Sequence, residues 1–114
     1  MSVIPVNVLV IFSSLCGNTE RLALAAAVGA VQARANIRMR RLPDSGENVP
    51  ACKDDLARMR KEYVPPTAAD TQWADAVIIG INGSVAGVAT DPEEATAFGR
   101  RTANQVRERK QSEL

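Results

Sequence analysis

Residues 8–19 read Val-Leu-Val-Ile-Phe-Ser-Ser-Leu-Cys-Gly-Asn-Thr, an apolar run that gives way to small polar residues around one glycine. The run belongs to a longer segment, residues 3–12, that is rich in β-branched side chains and almost continuously apolar after Pro5. Such a segment is typical of a strand buried on both faces of a parallel sheet. Residues 19–35 are rich in Ala and Leu with few helix breakers, so they predict a helix directly after the turn.

Two further strands are predicted beyond this helix. Residues 37–42 alternate Ile37 and Met39 with arginines until Pro43 stops the pattern, which indicates a second strand. Residues 76–81 are again apolar and predict a third strand. A succession of strand, helix and strand is the basic unit of an α/β fold with parallel strands. The first helix should pack closely on the sheet through a face of small side chains, formed by Leu22, Ala26, Gly29 and Ala33.

Helices and one loop account for most of the remaining chain. Residues 43–50 contain the Pro, Asp, Ser, Gly and Asn that favour loops. Asp91 and Pro92 are typical of a helix start, and Glu94 is placed to complete a capping box. The helical segments predicted after the second strand are residues 53–61, 67–73 and 92–110. The last of them should bury a face formed by Phe98, Thr102 and Val106.

Size and charge limit the possible classes of protein. The chain has 114 residues, 46% of them hydrophobic, which suits one domain over residues 1–114 with one core. Fourteen basic and thirteen acidic residues nearly cancel, so no field favours nucleic acid or a membrane surface. We find no signal peptide and no apolar run long enough to span a bilayer, and we therefore expect a soluble cytoplasmic protein without membrane insertion. In that compartment Cys16 and Cys52 should be reduced thiols.

The turn after the first strand has the composition of a phosphate-binding loop. Backbone N–H groups and the positive end of the following helix converge there. Gly17 permits a positive φ and a close backbone approach, and Ser14, Asn18 and Thr19 add neutral donors. The turn lacks the Gly-Lys-Ser/Thr of nucleoside triphosphatases and the spaced glycines of dinucleotide sites. A single phosphate monoester is therefore the ligand that fits.

Four segments together resemble one protein family. The pattern Ser-x-x-Gly-x-Thr at residues 14–19, followed by Glu-Arg-Leu-Ala, resembles the tryptophan-repressor-binding-protein type of FMN-dependent NAD(P)H:quinone oxidoreductase, in the flavodoxin-like superfamily. Arg-Leu-Pro-Asp at residues 41–44 resembles the end of that family's second strand. Residues 73–80 are similar to its third strand, and residues 93–106 to its last helix.

The resemblance implies a fold, a cofactor and a reaction. The fold would be a flavodoxin-like, three-layer α/β/α arrangement with a parallel sheet of order 2-1-3, in which the segment for strands four and five is lacking before Asp91. The cofactor would be FMN, with NAD(P)H as co-substrate and a small-molecule quinone as the acceptor of two electrons. The implied FMN phosphate site is Ser14, Leu15, Cys16, Gly17, Asn18 and Thr19, and the segment that approaches the isoalloxazine ring is Asn82, Gly83 and Ser84.

Two other functions remain open. The family carries an arginine and an aromatic residue after its third strand, and residues 82–87 have neither, which leaves a degenerate, non-catalytic flavodoxin-like module as the first alternative. The second is a low-molecular-weight phosphatase or arsenate-reductase-like enzyme with Cys16 as nucleophile, Arg21 as phosphate clamp and Asp91 as general acid. Only four residues separate Cys16 from Arg21, one fewer than such a loop needs.

The predicted sheet also suggests self-association. With the order 2-1-3, the third strand would be an open edge, and unpaired strand edges are templates for pairing with another chain. We therefore expect a homo-oligomer, a dimer or tetramer, joined through residues 76–81.

Overall fold

Apolar segments form the strands, and Ala-rich or charged segments between them form helices, in the computed structural model, which describes residues 4–114. In chain order the elements are β1 (Asn7–Phe12), α1 (Asn18–Gln32), β2 (Asn36–Arg41), a short 3₁₀ helix (Pro50–Cys52), α2 (Lys53–Glu62), α3 (Ala68–Trp73), β3 (Ala76–Ile81), β4 (Ser84–Val85) and α4 (Pro92–Ser112). The predicted start of the first strand, residue 3, lies outside the described residues. All other predicted helices and strands are present with ends shifted by only a few residues.

The sheet has four strands in the order β2-β1-β3-β4. β1 pairs in parallel with both β2 and β3, whereas β4 is antiparallel to β3. The prediction of an α/β protein with β1 between β2 and β3 is therefore confirmed. The prediction of a purely parallel sheet is wrong, because a fourth strand makes the sheet mixed.

The fourth strand results from a tight hairpin that the sequence analysis did not recognise. Asn82 and Gly83 connect β3 to β4 with φ values of 52° and 75°. Positive φ at both central residues is the signature of a type I′ turn, and Asn-Gly is its favoured sequence. Asn82 and Gly83, which the resemblance assigns to a cofactor loop, therefore also form the turn of a hairpin.

The two faces of the sheet differ in what covers them. Val8, Val10, Phe12 and Ile78 are fully or almost fully buried in the core beneath α1 and α4. The alternate side chains of the strands point to the opposite face, because successive residues of a strand alternate. On β2 this places Arg38 and Arg40 on that opposite face, where α3 meets them. Helices therefore contact both faces.

Helices α1 and α4 cross at two glycines. A methyl group on Gly29 would lie 2.8 Å from the carbonyl carbon of Thr96 in α4. A methyl group on Gly99 would lie 2.7 Å from the carbonyl carbon of Ala26 in α1. The small-residue face of α1 thus packs against a second helix as well as against the sheet, which the sequence analysis did not predict.

The buried face of α4 differs from the predicted one. Val106 is buried as expected, but Phe98 and Thr102 are only partly buried. The residues that pack inward are mostly smaller, namely Ala95, Gly99, Ala103 and Val106. The helix is rotated from the predicted orientation because close contact with α1 requires its smallest side chains at the crossing.

The start of α4 follows the predicted pattern only in part. Oδ1 of Asp91 accepts a hydrogen bond from the Glu94 N–H at 2.8 Å, so Asp91 caps the helix as predicted. The Glu94 carboxylate accepts from Thr90 instead of from the Asp91 N–H, and the capping box does not close.

Asp70 of α3 joins its helix to β2. Its carboxylate accepts hydrogen bonds from Arg38 and Arg40 at 3.2 Å and 2.9 Å and from the Thr67 N–H at 3.0 Å. The Arg40 hydrogen bond is the main cause that lowers the pKa of Asp70 to about 2. The folded state therefore favours the ionised carboxylate.

Part of β3 remains uncovered. The side chains of Val77, Ile79 and Ile81 are 44%, 49% and 45% exposed on the face opposite α1. β4 pairs only with Gly80 and Ile81. The free edge of β3 is therefore limited to residues 76–78, a smaller opening than the sequence predicted.

Within the part of the chain that the structure describes, none of the helices is both long and apolar enough to cross a membrane.

The glycine crossing can be tested by adding one methyl group. We expect Gly29→Ala and Gly99→Ala each to lower the free energy of unfolding by about 1–3 kcal/mol, the usual cost of forcing extra atoms into a packed contact. Helix propensity alone would raise the free energy of unfolding, by about 1 kcal/mol, because alanine is the better helix former. Urea unfolding therefore distinguishes the two effects by the sign of the change in stability. A stabilised variant would contradict the close crossing. Val28→Ala, on the exposed side of α1, is the control and should change stability by less than about 0.5 kcal/mol.

The Asp70 network predicts a specific loss of stability in acid. Because the folded-state pKa is lowered, the contribution of the ionised carboxylate is fully present above about pH 4 and disappears as the pH falls toward about 2. Asp70→Asn should therefore be less stable than the wild type at pH 7, and the difference should shrink below pH 4. Urea unfolding at several pH values measures this. Glu108→Gln, at an exposed site on α4, is the control, and its difference in stability from the wild type should not shrink in acid.

Candidate functional site

The first turn of α1 is open. Gly17 is its N-cap residue and adopts a φ of 92°, a left-handed conformation that favours glycine. No side chain caps this helix end among the described residues. The first N–H groups of a helix have no partner inside the helix, so those of Asn18, Thr19 and Glu20 can donate to a ligand.

The loop after β3 meets this helix end. The Gly83 N–H donates to Oγ1 of Thr19 at 2.9 Å. Gly80 leaves room for the same side chain, because a methyl group at Gly80 would lie 3.3 Å from Cγ2 of Thr19. As the Thr19 oxygen is the acceptor in this bond, its own O–H can still donate outward.

A cleft of about 290 Å³ opens between the two loops. Its walls are Ser13, Ser14, Leu15, Cys16, Asn18, Thr19 and Asn82. Six of the nine predicted cofactor-binding residues therefore line one cavity. Of the other three, Gly17 is the N-cap of α1, and the Gly83 N–H donates to Thr19 Oγ1. Ser84 Oγ donates to the Ile81 carbonyl at 3.2 Å.

Hydrogen bonds of Ser14 and Arg41 hold the loop between β1 and α1. Oγ of Ser14 accepts from the Gly17 N–H at 3.0 Å, so this amide is not available to a ligand although the Ser14 hydroxyl proton is. The buried Arg41 guanidinium donates to the Ser14 carbonyl at 2.8 Å and pairs with Asp44 at 3.0 Å. These contacts fix the loop before any ligand arrives.

A second ionic group supports the other side of the helix start. The buried Glu20 carboxylate accepts from Arg58 at 2.6 Å and from the Tyr63 hydroxyl at 2.7 Å. The Arg58 hydrogen bond is the largest cause that lowers the pKa of Glu20, while burial and the Glu20 hydrogen bond raise the pKa of Tyr63. This group could not be predicted from the sequence, because its members are far apart in the chain and follow no motif.

The negative charges beside the loop are therefore compensated. Asp44 is paired with Arg41 and Arg60, and the Arg60 hydrogen bond holds the pKa of Asp44 far below its usual range. Glu20 is paired with Arg58. Because these carboxylates do not face the cleft unpaired, an anion in the cleft would meet mainly hydroxyl, amide and peptide donors.

The two cysteines form a disulfide, so the expectation of reduced thiols is wrong. The bond joins Cys16 in the loop to Cys52 at the start of α2. The two cysteines are 36 residues apart in sequence, so tertiary folding brings them together. In this state Cys16 is not a nucleophile, and Asp91 is occupied as the cap of α4. Two of the three groups of the phosphatase alternative are thus committed to other contacts.

Aromatic side chains lie away from the cleft. Tyr63 is half-buried and packs edge-on against Phe12 with ring centroids 4.9 Å apart. Trp73 is half-buried beneath the Arg38 guanidinium, whose carbon lies 4.3 Å from the ring centroid. Among the described residues, no aromatic side chain lines the cleft.

No known protein-family profile matches the chain, and no curated protein sequence is significantly similar to it.

Proposed function

We propose that this protein binds FMN, with the phosphate held between Ser14 and Thr19, and that it is an NAD(P)H:quinone oxidoreductase of the flavodoxin-like superfamily. The observation that carries the proposal is the uncapped start of α1, which opens into a cleft walled by donors from two loops. An N–H-rich helix start of this kind favours a phosphate group.

The donors present suit one phosphate monoester. The Ser14 and Thr19 hydroxyls, the Asn18 amide and the first N–H groups of α1 are all neutral. Hydrogen bonds from such groups to an ionised phosphate are stronger than those between neutral partners. The absence of a lysine in the loop sequence fits a cofactor with a single phosphate better than a nucleoside triphosphate.

The topology adds a second line of support. In doubly wound α/β proteins, ligands bind beyond the carboxyl ends of the strands at the point where the strand order reverses. Here the reversal lies between β1 and β3, and the cleft lies at the carboxyl ends of both strands. Helices on both faces of the sheet, α1 and α4 on one and α3 on the other, agree with a flavodoxin-like three-layer fold.

The reaction would be performed by the cofactor, which supplies hydride transfer between NAD(P)H and a quinone when bound. The residues of this chain would bind the phosphate and position the rest of the molecule. Asn82, the cleft residue contributed by the loop after β3, would approach the ring system.

Titration with FMN tests the proposal. FMN fluorescence should be quenched on binding, and riboflavin, which lacks the phosphate, should bind at least about tenfold more weakly, because hydrogen bonds to a charged group contribute about 1.5–3 kcal/mol. Thr19→Val should weaken FMN binding by about tenfold or more, whereas Thr19→Ser retains the hydroxyl and should restore most of the affinity. Thr71→Val, an exposed threonine of α3, is the control.

The outcomes separate the alternatives. Binding of FMN accompanied by NAD(P)H-dependent quinone reduction supports the oxidoreductase. If FMN binds but no quinone is reduced, the protein is a flavin-binding module without this activity. If neither quenching nor thermal stabilisation by FMN is observed, the degenerate module is the better description.

The uncovered part of β3 supports self-association with a second copy of the chain. Val77, Ile79 and Ile81 form a continuous apolar strip next to the free edge of residues 76–78. Such strips and edges are commonly buried in interfaces.

Light scattering at micromolar concentration measures this association. The wild type should be a dimer or tetramer, and Ile79→Lys should shift it toward the monomer because the interface would have to bury a charge. Val31→Lys, which replaces an equally exposed apolar residue on α1, should leave the oligomer intact. A wild-type protein that is uniformly monomeric would disprove the association.

A further inference from the structure

The Cys16–Cys52 disulfide lies at the wall of the cleft and is unequally exposed. Cys16 is exposed to solvent and lines the cavity, while Cys52 is half-buried at the N-cap of α2. Thiol–disulfide exchange depends on which sulfur an incoming thiolate can reach. Here the two cysteines differ in exposure, and the more exposed one, Cys16, belongs to the loop that lines the cleft.

We propose that this disulfide is a reversible thiol–disulfide exchange site, reduced by an external dithiol that attacks Sγ of Cys16. The attack forms a mixed disulfide on Cys16 and breaks the bond to Cys52, which leaves as a thiolate and takes a proton from solvent. The second thiol of the reductant then displaces Cys16. The dithiol is oxidised to its own disulfide by two electrons, and Cys16 and Cys52 become two thiols.

The fold keeps α2 in place when the bridge opens. Leu56 and Met59 anchor the helix in buried positions. Arg58 remains bonded to Glu20 and Arg60 to Asp44. Reduction therefore frees mainly the loop around Cys16 and the segment before α2, so exchange does not require unfolding of the whole domain.

Exchange at Cys16 has a consequence for the cleft, and this step rests on the proposed function. A reduced Cys16 would remain next to the open start of α1, where a thiolate and a phosphate would use the same N–H groups. The Cys16 thiolate and the phosphate would compete for these N–H groups, and the loop would lose its covalent bond to Cys52. The oxidised protein should therefore bind FMN more tightly than the reduced protein, by a factor within the usual range of about 5–150 for coupled sites.

The exchange chemistry is tested on the native protein with glutathione, a monothiol that leaves the mixed disulfide in place. Peptide mass spectrometry after acid quenching and alkylation should find glutathione on Cys16 and a free thiol at Cys52, with the far-UV circular dichroism unchanged. Glutathione on Cys52, or no reaction until denaturant is added, would overturn the proposal. The Cys16→Ser variant should lose the reactivity.

The coupling to the cleft is tested by FMN titration of the oxidised and the dithiol-reduced protein. The affinity should fall on reduction, and by reciprocity saturating FMN should make the disulfide harder to reduce by the same factor. The double variant C16S/C52S should bind FMN with an affinity that no longer responds to the dithiol. Equal affinities in both redox states would overturn the coupling. If FMN binds in neither state, the proposed function fails, while the glutathione experiment still decides the exchange site.

Discussion

The close crossing of α1 and α4 is the contact on which the rest of the structure depends. Gly29 and Gly99 bring each helix against the backbone of the other, and α4 also reaches the end of α1 through Arg107, which donates to the Ala33 carbonyl. The axis of α1 is thereby set from its C-terminal half. Because a helix is rigid over this length, the direction in which its first N–H groups point is determined by packing far from the cleft.

Much of the fold could be predicted because it is encoded locally. The apolar residues of β1 and β3, the alternation of Ile37 and Met39 on β2, and the Asp91 cap each depend on neighbours in sequence. The rotation of α4 could not be predicted from its own pattern, because it is decided by contact with a helix about 70 residues away. The hairpin at Asn82 was predictable in principle, since its Asn-Gly signal is local.

In the candidate site, too, the features set by sequence neighbours could be predicted and those set by tertiary contacts could not. The open helix start and the donors Ser14, Asn18 and Thr19 were inferred from the turn itself, and they line or border one cleft. The groups that hold the turn were not inferred. The Glu20 carboxylate, the bridge to Cys52 and the bond from Gly83 to Thr19 all join segments that only tertiary folding brings together.

The hairpin of β4 has a geometric consequence for how the sheet can grow. By folding back over Gly80 and Ile81 it closes the half of the β3 edge nearest the cleft and leaves the other half open. A strand added there would overlap β3 only along its first residues and would have to be staggered away from the cleft. The mouth of the cavity would then stay clear of the added strand, and growth of the sheet would not compete with entry of a small molecule.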